Sequence, residues 1–188
     1  MAVDESMVPF KGRSSMEQYM TMYPVNSGYK IWCLAEARTE FVSQFDIYSE
    51  RSDRQVDSSF YLVERVVLTL CDTHIYCHRL IALDNFFTSY QLLKTLKERG
   101  LYAVGTVRES RKGLPDILKR IDRMQRGEFM FRTKGCVAAI KWQDNKPVTV
   151  LSTYHNPKQV TSVKRKNRDG TSSIIPCHAT VAEYNSIM

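Results

Sequence analysis

One strand–helix–strand segment in the middle of the sequence limits the possible folds more than any other feature. The apolar run at 79–84 is too short for a typical helix and predicts a buried, parallel strand. Residues 88–99 place leucines at helical spacing, and Gly100 follows where a helix commonly ends. A second apolar run at 101–107 predicts another strand. This order is typical of an α/β fold.

The segments on either side of this unit have their own apolar spacing. Before it, the pattern predicts strands at 29–35 and 40–48, a loop at 49–59 and a helix at 61–70. After it, the pattern predicts a short helix at 114–124 and a small antiparallel module with strands at 129–133, 137–143 and 148–154. The pattern predicts a hairpin at 163–175 with its turn at Asp169-Gly170. Residues 178–188 have a pattern typical of the first turns of a helix. The whole order predicts a mixed sheet with flanking helices.

Length and cysteine usage limit the class of protein. The 188 residues suit one domain, or one domain that carries an insertion. No apolar run approaches the roughly 18 residues of a membrane span, and the first residues are acidic where a signal peptide is basic. The five cysteines are odd in number and widely spread, which argues against a disulfide framework. We expect a soluble, non-secreted protein from a reducing compartment, with no membrane partner.

Charge is unevenly distributed along the sequence. Residues 1–94 carry 9 basic and 12 acidic side chains, whereas residues 95–188 carry 18 basic and 8 acidic ones. This contrast suggests that the second half binds a polyanion such as nucleic acid. A basic surface that is merely solvated is the alternative, and the charge count alone does not separate the two.

Two aspartates are the leading candidates for chemistry. Asp84 ends a predicted central strand and precedes a helix, where α/β sheets commonly bind ligands, although Asp also favours helix caps and turns. If residues 3–8 form a strand beside the Asp84 strand, Asp4 converges with it. Paired carboxylates can hold Mg²⁺ ions, which prefer oxygen ligands and can clamp a phosphate.

Two further clusters each allow two interpretations. Cys71, His74, Cys77 and His78 are zinc-ligand types, but their spacing matches no standard zinc pattern, so connector residues are the favoured interpretation. Residues 164–168 contain four basic side chains, which suit either phosphate contacts or nuclear import. Because they lead into a predicted turn, a solvated hairpin tip is the alternative.

Several blocks together resemble a known family. These blocks are DESMVPFKGR at 4–13, GYK at 28–30, DNFFTS at 84–89, GTVR at 105–108, LST at 151–153 and VAEYN at 181–185. In this order they are similar to successive blocks of the piggyBac transposase family. The resemblance extends over essentially the whole sequence, and several ordered blocks are more specific than any one of them.

The resemblance implies a fold, a site and an activity. The implied fold is a ribonuclease-H-like core, here at 1–107, with a basic β-rich insertion at 108–176 and a helix that returns to the core from 177. Asp4 and Asp84 match the first two of three metal-binding aspartates, which implies Mg²⁺ or Mn²⁺, and no zinc is expected. The implied activity is DNA cleavage and transfer at TTAA sites by a nuclear protein that is a homodimer in its intact form.

The third aspartate of the family follows a Gly-Gly-Val block just after the Tyr-Asn pair. The sequence ends at Met188, where that block would begin, so we expect a fragment whose metal site is incomplete and whose activity is lost. A truncated copy, a domesticated derivative and an incomplete gene model all remain open. The alternative function is a non-catalytic DNA-binding remnant.

Basic residues in the matching blocks and in the insertion are the candidate DNA contacts. Arg108 and Arg111 match basic positions that the family uses near target DNA. The full candidate set is Lys11, Arg13, Lys30, Arg108, Arg111, Lys112, Lys164, Arg165, Lys166 and Arg168.

Overall fold

A large mixed sheet runs through most of the molecule. The computed structural model describes residues 1–21, 24–49, 61–119, 124–167 and 170–188. Nine strands in these ranges form the sheet: β1 Ala2–Pro9, β2 Gln18–Tyr19, β3 Ser27–Ala35, β4 Val42–Ile47, β5 Leu80–Leu83, β6 Tyr102–Thr106, β7 Phe129–Lys134, β8 Val137–Gln143 and β9 Pro147–Ser152. Their order is β2-β3-β1-β5-β6-β9-β8-β7, and β4 also pairs with β3.

The remaining elements, counted over the same described ranges, are four α-helices, one 3-10 helix at Asp72–His74 and one separate hairpin. The helices are α1 Leu62–Leu70, α2 Tyr90–Glu98, α3 Asp116–Lys119 and α4 Ala179–Ile187. The hairpin consists of β10 Val160–Lys166 and β11 Ser172–His178, which pair only with each other. The predicted α/β class with a mixed sheet and flanking helices is therefore confirmed.

The strand that precedes Asp84 lies at the centre of the sheet. β5 is parallel to both of its neighbours, β1 and β6. Ile81, Ala82 and Leu83 are completely buried, because helices cover both faces of the sheet at this point. The prediction of a buried parallel strand from an unbroken apolar run is confirmed.

Alternating residues of the central strands divide the core between the two faces of the sheet. On one face, Ile81 and Leu83 pack with the apolar sides of α1 and α2. On the other face, Ala82 and Val104 pack against Tyr184 of α4. Ala2 of β1 also packs on the face that carries α4. Because side chains alternate along a strand, Asp4 projects toward this same face.

The three strands predicted as a small antiparallel module, at 129–133, 137–143 and 148–154, are part of the large sheet. β7, β8 and β9 are antiparallel, as the pattern predicted, but β9 pairs with β6 and so extends the core sheet. The physical reason is visible in β8, in which Val137 to Trp142 are all buried. A strand buried on both faces must lie inside a larger sheet. Only the β10–β11 hairpin forms a sheet of its own.

The hairpin packs on the sheet through its own apolar cluster. Ile175 and Cys177 of β11 are buried with Trp142 of β8 and Val181 of α4. The Trp142 indole N–H donates a hydrogen bond of 3.0 Å to the Pro176 carbonyl. The final helix and the hairpin are thus held by the outer strands of the sheet.

Several element boundaries differ from the sequence-based expectation. The helix predicted at 114–124 is described only as the single turn α3, and residues 120–123 lie outside the described ranges. The two-residue strand β2 was not predicted, because two residues show no periodicity. Residues 177 and 178 end β11 instead of beginning the final helix. Most of the predicted loop at 49–59 and Asp169 of the predicted turn also lie outside the described ranges.

Two further observations concern the chain as a whole. All five cysteines are free thiols. Within the described residues, the helices are too short or too polar to cross a membrane.

Candidate functional site

Asp4 and Asp84 lie on neighbouring parallel strands. The register of β1 and β5 places Val3 beside Leu83. The residue that follows each of these two is an aspartate, Asp4 after Val3 and Asp84 after Leu83. Val3 and Leu83 are buried on the α1–α2 face, and the two aspartates therefore project from the opposite face, where α4 lies. Asp4 is exposed and Asp84 is half-buried. The strand on which the expected convergence of the two aspartates depended therefore lies beside β5.

The electrostatics of Asp4 reflect this convergence. Desolvation raises the pKa of the Asp4 carboxyl above its ordinary value. A hydrogen bond of 2.8 Å from the Glu5 backbone N–H lowers the pKa, and the nearby carboxylate of Asp84 raises it. A carboxyl whose pKa is raised by a neighbouring carboxylate belongs to a site that favours a cation.

Asp84 is held by the turn that follows it. Its Oδ1 accepts a short hydrogen bond from the Phe86 N–H, and its carbonyl accepts one of 2.7 Å from the Thr88 hydroxyl. A Cβ on Gly105 would collide with the Thr88 hydroxyl and would lie 2.7 Å from the Leu83 carbonyl oxygen. The absence of a side chain at 105 therefore lets this turn close against β6.

Two arginines of the predicted DNA-binding set bind the same turn. Arg108 Nε donates a hydrogen bond of 2.9 Å to the Asn85 side-chain oxygen. Arg111 donates bonds of 2.6 Å and 3.1 Å to the carbonyl oxygens of Asn85 and Phe86. The first residues after β6 thus hold the backbone that orients the Asp84 carboxylate.

A buried lysine anchors the segment that carries these arginines. Lys141 of β8 is 3% exposed, and its ammonium donates a hydrogen bond of 2.9 Å to the Leu118 carbonyl. The same group lies 2.8 Å from a carboxylate oxygen of Glu109, between Arg108 and Arg111. Burial of a lysine is tolerated only when its charge is paired and hydrogen-bonded, as it is here.

Helix α4 reaches the site through Tyr184. Its hydroxyl lies 3.3 Å from the Thr106 hydroxyl at the end of β6. Burial raises the pKa of the Tyr184 hydroxyl, the Thr106 hydrogen bond lowers it, and the carboxylates of Asp84 and Asp4 raise it. The Tyr184 hydroxyl therefore lies near enough to both aspartates for their charges to affect its pKa.

A Ser–His–Glu row attaches α4 to the end of β9. His155 Nδ1 lies 2.9 Å from Ser152 Oγ, and His155 Nε2 lies 2.6 Å from a carboxylate oxygen of Glu183. Although the row has the order of a hydrolase triad, Ser152 is 1% exposed and its oxygen accepts the Tyr154 N–H. Ser152 is therefore a structural turn residue and not a nucleophile.

His178 caps the N-terminus of α4. This fully buried ring accepts the Thr180 N–H at Nδ1 and donates from Nε2 to the Pro157 carbonyl at 3.0 Å. Desolvation lowers the pKa of His178, although the Pro157 contact raises it. The neutral ring with its proton on Nε2 is the form that caps the helix.

The Asp4–Asp84 pair is the place where the chain could hold a metal. Among the described residues, no group of three or more His, Cys, Asp or Glu side chains is arranged to hold an ion. The second cluster considered from the sequence is dispersed. Cys71 is buried with its thiol pKa raised to about 12 by burial, His74 contacts the hydroxyls of Ser43 and Thr73, and Cys77 is exposed.

The candidate DNA contacts fall into two groups. Lys30 and Arg165 are half-buried and paired, at 2.6 Å with Glu5 and at 3.1 Å with Asp144. Partial burial raises the pKa of Asp144, but hydrogen bonds from Arg126 and Arg165 lower it further than burial raises it. The exposed candidates are Lys11, Arg13, Arg108, Lys112, Lys164 and Lys166, whereas Arg111 is half-buried against the turn after Asp84. Arg168 lies outside the described residues.

Three residues of the site did not stand out in the sequence. Tyr184, Gly105 and Thr106 were noted only as members of matching blocks. A glycine inside a predicted strand does signal a close approach of other atoms, so Gly105 was the one that could have been found. Nothing in the spacing of Thr106 and Tyr184 indicates their contact.

The large mixed sheet with flanking helices is a ribonuclease-H-like α/β fold. The family model described as Transposase IS4 matches residues 1–188. The chain belongs to this piggyBac-type transposase family. The family resemblance and the fold implied by it are therefore confirmed.

Curated and solved relatives agree with this assignment. The chain is 30% identical over 155 residues to human PiggyBac transposable element-derived protein 3, covering 79% of this chain and 26% of that protein. It is 30% identical over 156 residues to human PiggyBac transposable element-derived protein 2, with the same two coverages. The chain thus spans about a quarter of the length of these relatives.

A solved structure is similar over nearly the whole chain. It is the cryo-EM structure of a piggyBac transposase synaptic complex with hairpin DNA, and it matches with a TM-score of 0.79 and 26% identity. The match covers 99% of this chain and 37% of that one.

Proposed function

We propose that this chain forms part of a metal-dependent site for DNA strand cleavage and transfer, in which Asp4 and Asp84 hold Mg²⁺ or Mn²⁺. The observation that carries the proposal is the side-by-side position of the two aspartates after Val3 and Leu83 on parallel strands. Bound Mg²⁺ ions would supply Lewis-acid chemistry for displacement at a DNA phosphate. Carboxylate oxygens are the ligands that these ions prefer.

The chain's own residues account for binding and orientation in this proposal. Asp4 and Asp84 supply the charge, and the raised pKa of Asp4 fits a pair that a cation would relieve. The Phe86 N–H orients the Asp84 carboxylate, and Arg108 and Arg111 hold the backbone that presents this N–H.

DNA is the proposed partner. Support comes from the transposase–DNA complex that the chain is similar to and from the exposed basic residues of the second half. TTAA target sites, a homodimer and a nuclear location are further proposals, which the family resemblance motivates.

A second candidate function is DNA binding without catalysis. It is favoured by one observation, namely that the described residues bring no third Asp, Glu, His or Cys into a group with Asp4 and Asp84. A site with two carboxylates holds a divalent ion weakly. We therefore expect the 188-residue chain to show little nicking with Mg²⁺ or Mn²⁺.

Metal binding tests the role of the aspartates. Titration of the chain with Mn²⁺, followed by water-proton relaxation, should show weak binding that Asp4→Asn and Asp84→Asn each reduce severalfold, since each removes one charge from the pair. Asp72→Asn is the matched control, because Asp72 is an exposed carboxylate on the 3-10 turn after α1. Equal binding by all four proteins would contradict the metal proposal.

Strand cleavage separates the two candidate functions. A supercoiled plasmid incubated with Mn²⁺ and the wild-type chain should remain intact if the chain only binds DNA. Nicking that Asp84→Asn abolishes would instead establish catalysis by the two aspartates alone and would overturn the expectation of an inactive chain.

A further inference from the structure

A pocket opens between α2 and the outer strands of the sheet. It is an open cleft, whose empty space together with the solvent-filled mouth amounts to about 400 Å³. The apolar part of its wall is formed by Leu114, Val137, Ala139 and Leu151. Tyr90, the first residue of α2, contributes an aromatic ring. The pocket therefore suits a flat, largely apolar group.

Cations surround this apolar wall. Arg111, Lys112, Arg132 and Lys134 also line the pocket, and none of its lining residues is acidic. The Lys134 ammonium lies 5.0 Å from the centre of the Tyr90 ring, so positive charge is held beside the aromatic surface. A ligand that fits both features has a planar ring and a negative charge close to it.

The pocket adjoins the turn that carries Asp84. Arg111 belongs to both, because its guanidinium donates to the carbonyl oxygens of Asn85 and Phe86 while its side chain lines the pocket. Arg111 is thus the link between the pocket, which lies on the α1–α2 face of the sheet, and the turn that follows Asp84.

We propose that this pocket receives one nucleotide whose base has left the DNA stack, with the base against Tyr90 and its phosphate among Lys112, Arg132 and Lys134. The proposal rests on the DNA binding proposed above and names the form of DNA that the site takes. Aromatic side chains stabilise unstacked bases of any sequence, because every base has a π face. The free energy needed to rotate a base out of a duplex is lowest where the base is already mismatched.

Two duplexes of equal length test the proposal, one fully paired and one with a single mismatch that carries 2-aminopurine. The wild-type chain should bind the mismatched duplex about tenfold more tightly, and the fluorescence of 2-aminopurine should change on binding. Tyr90→Leu keeps an apolar side chain and helix propensity but removes the ring, so it should abolish both the preference and the fluorescence change. Tyr90→Phe, the matched control, should retain both.

The outcomes separate this proposal from the proposed function. Binding of both duplexes with equal affinity, or a preference that survives in Tyr90→Leu, would overturn the pocket proposal and leave DNA binding intact. Failure to bind either duplex at low salt would overturn DNA binding and the pocket proposal with it. A competition experiment adds inorganic phosphate or a nucleoside monophosphate to the complex with the mismatched duplex. If both displace the duplex equally well, the pocket binds only phosphate through its cations, and the role of the Tyr90 ring is overturned.

Discussion

The guanidinium of Arg111 donates a hydrogen bond of 2.6 Å to the carbonyl oxygen of Asn85, the residue directly after Asp84. A basic residue that the sequence associates with DNA thus has a partner inside the protein. Charge-assisted bonds to backbone carbonyls are stronger than neutral ones, so this contact fixes the start of the turn. The turn in turn supplies the Phe86 N–H that orients the Asp84 carboxylate.

Replacement of Arg111 should therefore weaken metal binding. We expect Arg111→Ala to lower the affinity for Mn²⁺ by about tenfold, because groups that orient a metal ligand typically contribute this much. Mn²⁺ relaxation titrations measure the effect. Lys112→Ala is the control, since it removes an adjacent exposed positive charge but leaves the turn intact. Loss of a positive charge alone favours cation binding, so a rise in affinity in both variants would contradict the positioning role.

Replacement of Gly105 should destabilise the turn and the sheet together. A Cβ at this position meets the Thr88 hydroxyl and the Leu83 carbonyl, neither of which can move without disturbing β5. We expect Gly105→Ala to lower the free energy of unfolding by about 1–3 kcal/mol, the usual cost of overpacking. Urea denaturation measures it, with Ser110→Ala at an exposed position as the control. A change equal to that of the control would show that the turn tolerates a side chain at 105.

Removal of two lysines should flatten the salt dependence of DNA binding. Lys164 and Lys166 are exposed on the same face of β10, and each neutralised phosphate contributes about −0.9 to the log–log slope. We expect Lys164→Ala/Lys166→Ala to reduce the slope by nearly two units on a random duplex. Lys94→Ala/Lys97→Ala, which removes the same charge from α2, should change it less. Equal slopes for the two double variants would indicate a diffuse charge effect without a defined surface.

Acidic pH should destabilise the chain through His178. Its pKa is lowered from 6.5 in the folded state, so the unfolded state takes up a proton first as the pH falls. The stabilisation is therefore complete above pH 6.5 and declines below it, by at most about 1.4 kcal/mol per pH unit for this one group.

Thermal melting at pH 7.5 and pH 5.5 checks the role of His178. The wild type should lose more stability between these values than His178→Asn, because Asn can cap α4 but does not titrate. The pKa of His74 is also lowered, by desolvation, so His74→Asn serves as the comparison. If His178→Asn shows the full wild-type loss, the buried ring does not set the acid sensitivity.

The central part of this fold follows from local patterns in the sequence. The unbroken apolar run at β5 and the leucine spacing of α2 have few physical alternatives, because a short run buried on both faces can only be an inner strand. The ordered blocks from Asp4 to Asn185 identified the family, and they pointed to both aspartates before any geometry was known.

The contacts that each of these residues makes depend on packing between distant parts of the chain. The pairing of β9 with β6 is such a long-range contact, and local periodicity, which predicted a small antiparallel module, does not encode it. Arg111 and Lys112 look alike in the sequence, yet one holds the Asp84 turn and the other is exposed. The physical reason is the same in both cases: apolar spacing specifies which face a residue buries, whereas partners far along the chain are chosen by packing.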